Sequence, residues 1–120
     1  MSRKLDDLSP AFRPLAVEFL ARLTEAGIHV LIVDTRRTMA EHQANLAKGV
    51  SWTKHSKHLD GDAIDVCPFQ FWDLDGPDKL NWDGGHPVWQ RIGAIAESCG
   101  LRWGGRWAIP DLGHVERPNA

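Results

Sequence analysis

Apolar residues along this chain switch between helical spacing and short β-branched runs. Leu15, Phe19, Leu20 and Leu23 recur at the helical period after Ser9-Pro10 and Pro14, proline suits a first helical turn, and Gly27 is a natural stop. Ile28 to Val33 reads as a buried strand. Thr38-Met39-Ala40-Glu41 fits a capping box, which predicts a second helix from about Met39 to Lys48, ended by Gly49. Val50 to Lys57 is a polar connection, and Ala63 to Cys67 alternates as a strand does until Pro68 stops it. Phe69 to His86 is rich in Asp, Gly and Pro and reads as a long surface loop, a length that itself hints at function. The clearest helix follows: Pro87 in its first turn, an apolar stripe of Val88, Ile92, Ile95, Ala96 and Cys99, and Gly100 as its end. Leu101 to Trp103 and Gly113 to Glu116 read as short strands around a glycine turn. Helices grouped around short strands predict an α+β fold.

Composition narrows the function classes. At 120 residues, the whole of 1–120 is expected to form one domain. A net charge of −2, with Lys and Arg scattered, excludes a nucleic-acid footprint. The opening Met1-Ser2-Arg3-Lys4-Leu5-Asp6-Asp7 has no apolar core of a signal peptide, and no run approaches the roughly 18 apolar residues of a membrane span. Synthesis in the cytoplasm without a signal peptide, no stable membrane association and a monomeric state are therefore expected. Two cysteines, Cys67 and Cys99, do not make a disulfide framework and are expected to be buried free thiols.

The chemistry concentrates in Ser56-Lys57-His58-Leu59-Asp60-Gly61-Asp62-Ala63-Ile64-Asp65 and, downstream, Asp111-Leu112-Gly113-His114. His58, Asp65 and His114 offer two imidazoles and a carboxylate, with Gly61 letting the chain bend so that the first two converge. Three protein ligands with a fourth position open is the layout of a catalytic zinc site; structural zinc is closed by four, mostly cysteines.

The pattern Ser-x-His-x-x-Gly-x-Ala-x-Asp, followed by a carboxylate-x-x-His, resembles the zinc D-alanyl-D-alanine carboxypeptidase and L-alanyl-D-glutamate endopeptidase family, peptidase M15. That family includes phage endolysins and shares its fold with the Hedgehog signalling domain; the resemblance covers about Val30 to Glu116. It implies a small antiparallel sheet flanked by about three helices. It implies one zinc ion held by His58, Asp65 and His114, with Asp111 as general base. Arg37, with Arg36 as the alternative, matches the arginine that steadies the developing negative charge, and Gln43 matches a glutamine that follows, one residue further on than the family spacing. The implied substrate is the stem peptide of bacterial peptidoglycan. The implied reaction is metal-assisted amide hydrolysis, either L-alanyl-D-glutamate cleavage or removal of terminal D-alanine. A phage or prophage lysis enzyme, reaching the wall once the membrane is breached, is the favoured setting. A non-catalytic metal-bearing binding domain is the competing class.

Glu116 rivals Asp111 as base, because two residues after His114 on a strand it faces the same way; with Asp111 as base it becomes a hydrogen-bonding partner of a ligating imidazole. Ser56 and Thr38 read as supporting or capping residues, not nucleophiles. His55 and His86 read as loop and helix-start residues, and Cys67, two after Asp65, is a remote candidate for metal contact. Of six tryptophans, Trp89 and Trp103 belong to apolar stretches, whereas Trp107 resembles one near the family's substrate cleft. Trp52, Trp72 and Trp82 lie in loops, where they either cap the core or stack on sugar or peptide. Asp73-Leu74-Asp75-Gly76 lacks the full ligand pattern of a calcium loop.

Overall fold

A computed structural model gives the structure of residues 3–35, 57–69 and 80–118. Helix α1 spans Arg13–Glu25 with Pro14 in its first turn, where the missing N–H has no intrahelical partner to lose. Its buried stripe is Ala16, Phe19 and Leu23, with Leu15 and Leu20 at the margin. The helix closes on Gly27, whose φ of 76° lies in the left-handed region, while Gly27 N donates to Thr24 O and Ile28 N to Leu23 O. That closure explains a difference from the sequence expectation. Ile28 belongs to the helix exit, so strand β1 starts later, covers Val30–Asp34, and reaches one residue past Val33.

Lys57–Asp60 forms a single helical turn, α2, starting at the last residue of the polar connection expected over Val50 to Lys57. Strand β2 is Ala63–Pro68, helix α3 is Val88–Ser98, and strands β3 and β4 are Arg102–Trp103 and His114–Glu116. Short 3-10 turns occupy Leu5–Asp7 and Gly104–Arg106. The helix expected over Met39–Lys48 and most of the loop after Phe69 lie outside the described residues. At the described ends of that loop, Phe69 and Leu80 pair in an antiparallel bridge.

The strands form one antiparallel sheet in the order β1-β2-β4-β3. This is the expected α+β architecture, with α1 and α3 as the helices longer than one turn among the described residues. Successive side chains of a strand face opposite ways. Ile64, Val66 and Val115 therefore join Phe12, Phe19, Leu23, Trp89 and Ile92 in the core. Asp65, His114 and Glu116 consequently share the other face. The register sharpens this, since Asp65 pairs directly with His114 and Ala63 with Glu116. At β1 an irregularity between Ile32 and Asp34 brings Asp34 opposite Asp65.

Two stretches distant in sequence are pinned beside this face. Asp62 accepts Ser9 Oγ at 2.6 Å and both Nε and Nη2 of Arg117, at 3.2 and 3.1 Å. Burial raises the Asp62 carboxyl, but the Arg117 and Ser9 hydrogen bonds outweigh it and hold the group below the usual carboxylate range.

Helix α3 approaches β3 through Gly93, where an added Cβ would collide with the Trp103 ring. Gly93→Ala should therefore lower stability by about 1–3 kcal/mol, the usual range for overpacking a tight contact. Denaturant unfolding reads this directly; an unchanged midpoint would mean that the α3–β3 contact has room to spare.

Candidate metal centre

His58 comes from the one-turn helix α2, Asp65 from β2 and His114 from β4. Helix α2 is closed by Gly61, with φ at 73°, and Asp62 N donates back to Lys57 O at 3.0 Å. A Cβ on Gly61 would lie 2.8 Å from Ser9 N, so both its conformation and its closeness to the N-terminal segment require glycine. This bend returns the chain into β2 with the His58 and Asp65 side chains together. His114 arrives by direct cross-strand pairing.

One ligand atom from each of His58, Asp65 and His114 can be chosen so that all lie within 4.8 Å of one another. His58 Nε2 is 3.2 Å from Asp65 Oδ2, and His114 Nδ1 is 3.1 Å from Asp65 Oδ1. Bonds of roughly 2.0–2.2 Å to a tetrahedral zinc would put donor atoms about 3.3–3.6 Å apart, so the two His–Asp65 approaches already match that scale and the widest separation of the set, within 4.8 Å, would close by roughly 1 Å to receive one. The far side of each ring is also set for ligation. His58 Nδ1 donates to the Thr35 carbonyl at 3.0 Å, which can only accept, and this leaves Nε2 with its lone pair. His114 Nε2 donates to Glu116 Oε1 at 2.9 Å, directing Nδ1 at Asp65. The two imidazole side chains are 1% and 7% exposed, whereas Asp65 keeps 23%, so the cluster opens to solvent at the carboxylate.

The electrostatics follow from these contacts. Burial raises the Asp65 carboxyl, but the hydrogen bond from His114 and the close approach of His58 outweigh it and hold Asp65 far below the usual carboxylate range. Burial pushes His114 down, but Asp65 and Glu116, with a smaller Coulomb contribution from Asp111, raise it to about 9. Glu116 is drawn below its usual value, its burial outweighed by the His114 hydrogen bond.

The structure thus brings together His58, Asp65, His114 and Glu116 as the sequence proposed, and sets the Trp107 ring 4.8 Å from that of His114. Asp111 lies on the turn leading into β4, where its N–H donates to Gly104 O at 3.0 Å and its carbonyl accepts from His114 N at 3.2 Å. Arg37, Arg36, Gln43 and Ser56 lie outside the described residues, as do Thr38, His55, Trp52 and Trp72. Cys67 is not in the cluster; its thiol is directed to the carbonyls of Pro68 and Asn81. Neither cysteine forms a disulfide; Cys67 is buried as expected, whereas Cys99 is only half-buried.

Three further groups partner the site. Asp34, 1% exposed, places Oδ2 3.9 Å from His58 Nδ1. An acid closing the apolar run of β1 was the signal for it. Arg102 Nη1 reaches Glu116 Oε2 at 3.8 Å from the neighbouring strand, which only the register reveals. The Thr35 carbonyl carries no sequence signal at all.

Known proteins supply an independent comparison. A family model described as D-alanyl-D-alanine carboxypeptidase, of the M15 peptidases, matches residues 49–117. The L-alanyl-D-glutamate peptidase of Listeria phage A118 is 34% identical over 93 residues, which is 78% of this chain and 30% of that protein. That of Escherichia phage T5 is 34% identical over 85 residues, covering 63% of this chain and 57% of the relative. The chain therefore spans less than two thirds of the length of either curated relative. The crystal structure of the Serratia marcescens L-Ala D-Glu endopeptidase ChiX matches with a TM-score of 0.72 at 22% identity, over 95% of this chain and 83% of that one. At that identity the likeness speaks for the fold.

A pH dependence follows for the protein stripped of metal. His114 titrates near 9 when folded against 6.5 for the free side chain. Its raised value contributes stability that is complete below about pH 6.5 and is lost as pH rises through about 9. Thermal melts in chelator should show this decline, and His114→Gln should flatten it. A slope that persists in the variant would place the titrating group elsewhere.

Proposed function

The chain belongs to the M15 peptidase family of D-alanyl-D-alanine carboxypeptidases, and on that premise we propose that it is a zinc peptidase of bacterial peptidoglycan. The bond assigned is the amide between L-alanine and D-glutamate in the stem peptide. One observation carries the reading: two imidazoles and a carboxylate converge, their outer nitrogens already engaged, at a spot that opens to solvent through Asp65. The choice of bond is supported by the phage relatives, both named L-alanyl-D-glutamate peptidases. The family model's description favours the terminal D-alanine bond as the second reading. Phage relatives also support a lysis role, with the protein made inside the cell and acting on the wall after the membrane is breached.

His58, Asp65 and His114 would hold the ion. Zinc at such a site supplies Lewis acidity that activates water near neutral pH and polarises the scissile carbonyl. Asp111 accepts the proton of the attacking water and passes it to the leaving amine. Its backbone is held by hydrogen bonds to Gly104 O and from His114 N, which fixes the position of its Cα three residues before His114. Glu116 keeps His114 in the tautomer that presents Nδ1, and the His114 hydrogen bond, with a smaller contribution from Arg102, keeps Glu116 ionised. The Thr35 carbonyl does the same for His58. Trp107 forms a wall beside His114 against which an extended peptide can lie. Arg37, or Arg36 in its place, is assigned to the developing oxyanion, and Ser56 and Gln43 to support of the site, on the family pattern.

Mass spectrometry of fragments released from purified peptidoglycan tests the reading. The expected products end in L-alanine on the sugar side and begin with D-glutamate on the other. Release of D-alanine alone would favour the second reading, and no release with zinc bound would favour a binding domain. Asp111→Asn should reduce turnover by about 10²–10⁴-fold while leaving zinc content unchanged. Glu116→Gln should instead weaken zinc binding by about 10–100-fold, measured by chelator competition. Loss of zinc in Asp111→Asn, or full turnover by it, would remove the base assignment.

A further inference from the structure

Helix α2 carries His58 yet has only 4 residues, too few to hold its own shape, because a first helical turn fixes several backbone angles for a single hydrogen bond. Contacts from outside the turn must therefore fix where the His58 backbone sits relative to β2 and β4. Asp62, buried and lying between the ligands His58 and Asp65, is where such contacts meet. Its N–H donates to Lys57 O at 3.0 Å and so closes the turn, while its carbonyl accepts from Arg117 N at 2.8 Å. Its carboxylate takes Arg117 Nε and Nη2 on separate oxygens, at 3.2 and 3.1 Å, and the Ser9 hydroxyl at 2.6 Å.

These contacts join the stretches that carry the three ligands. Arg117 directly follows β4, the strand of His114, and the Ala63–Glu116 pair is the rung of the ladder beside it. A fork of two N–H bonds on a carboxylate fixes orientation as well as distance. The pair is also sheltered, its side chains 9% and 37% exposed, so salt screens it less than a surface pair. On the other side Ser9 N donates to Gly61 O at 2.9 Å, and the Ser9 hydroxyl accepts from Phe12 N at 3.2 Å, which ties the same turn to the entry of α1. Ser9 lies outside residues 49–117, the stretch that matches the family model.

We infer that Asp62 is a positioning residue of the metal centre: braced by Ser9 and Arg117, it holds the turn of His58 in place against Asp65 and His114. The inference rests on the reading of those three residues as metal ligands. Asp62 is no ligand itself, since Arg117 and Ser9 occupy its oxygens. The ring orientations are set elsewhere, by the Thr35 carbonyl for His58 and by Glu116 for His114. The junction at Asp62 sets the backbone on which the His58 ring is mounted. Loosening it frees the short turn, whereas the β2–β4 pairing still keeps Asp65 opposite His114. The defect is therefore selective for His58.

Arg117→Gln breaks the fork from its more exposed side and keeps the buried Asp62, while Arg117→Lys restores the charge with a single donor group. Zinc affinity of the folded proteins, measured by chelator competition, should fall about three- to tenfold in Arg117→Gln, less than for a partner touching a ligand directly, and recover in part in Arg117→Lys. A purely structural role would lower the denaturant midpoint and leave the zinc affinity of the folded protein at the wild-type value, which overturns the inference. Imidazole NMR of the metal-free protein supplies the second readout. The His58 Nδ1–H, buried on the Thr35 carbonyl, should exchange slowly in the wild type and faster in Arg117→Gln, with the His114 Nε2–H unchanged. Equal effects on both rings, or on neither, would also overturn it. Should the wild type take up no zinc, the metal reading fails, and a change confined to His58 in this spectrum still supports Asp62 as the residue that places it.

Discussion

The antiparallel pairing of Asp65 with His114 is the constraint on which the rest of the site depends. Because strand side chains alternate, one residue of slippage between β2 and β4 would send His114 into the core and Val115 to the open face. The apolar residues flanking both ligands prevent this. Ile64 and Val66 on β2, and Val115 on β4, are fully buried and can be satisfied only in the observed register. Burial of aliphatic side chains on one side of the sheet therefore sets the positions of the polar ones on the other. The Gly113 turn reinforces the arrangement: Val66 N donates to Gly113 O at 3.0 Å, and a Cβ on Gly113 would press on the Val66 carbonyl at 2.5 Å.

A second consequence of that register is the order of charges across the sheet. Asp34, Asp65, His114, Glu116 and Arg102 follow one another from β1 to β3 on a single face. Asp34 and Asp65 are adjacent acids with His58 near both, at 3.9 and 3.2 Å, and from Asp65 onward acids alternate with His114 and Arg102, so each buried acid has a neighbour of opposite or neutralisable charge. Leaving any of them unpaired in this setting would cost several kcal/mol. A divalent ion received between Asp65 and the imidazoles enters a frame already balanced to hold positive charge.

Much of this was legible in the sequence because two kinds of signal agreed. The helical stripes ending at Gly27 and Gly100 gave α1 and α3, and the alternation after Gly61 gave β2. The histidines and Asp65 stood out as a spaced set, and period-two reasoning placed Glu116 beside His114. What stayed hidden depended on long-range geometry. Ile28 looks like a strand residue and is taken by the exit of α1, because its N–H completes the helix end. Lys57 to Asp60 is too short for a periodic signal, yet the turn at Gly61 makes it helical. Asp34, Arg102 and the Thr35 carbonyl become partners of the site only once β1 and β3 are laid on the borders of the sheet.

Those borders carry a consequence for the chain in solution. On one flank β3 offers just two residues, one of them the charged Arg102; on the other, β1 is broken by its irregularity between Ile32 and Asp34. Among the described residues, neither gives a long, flat row of amides on which a second molecule could nucleate intermolecular pairing. The same kink that turns Asp34 toward the histidines thus also protects against fibrillar self-association at high concentration.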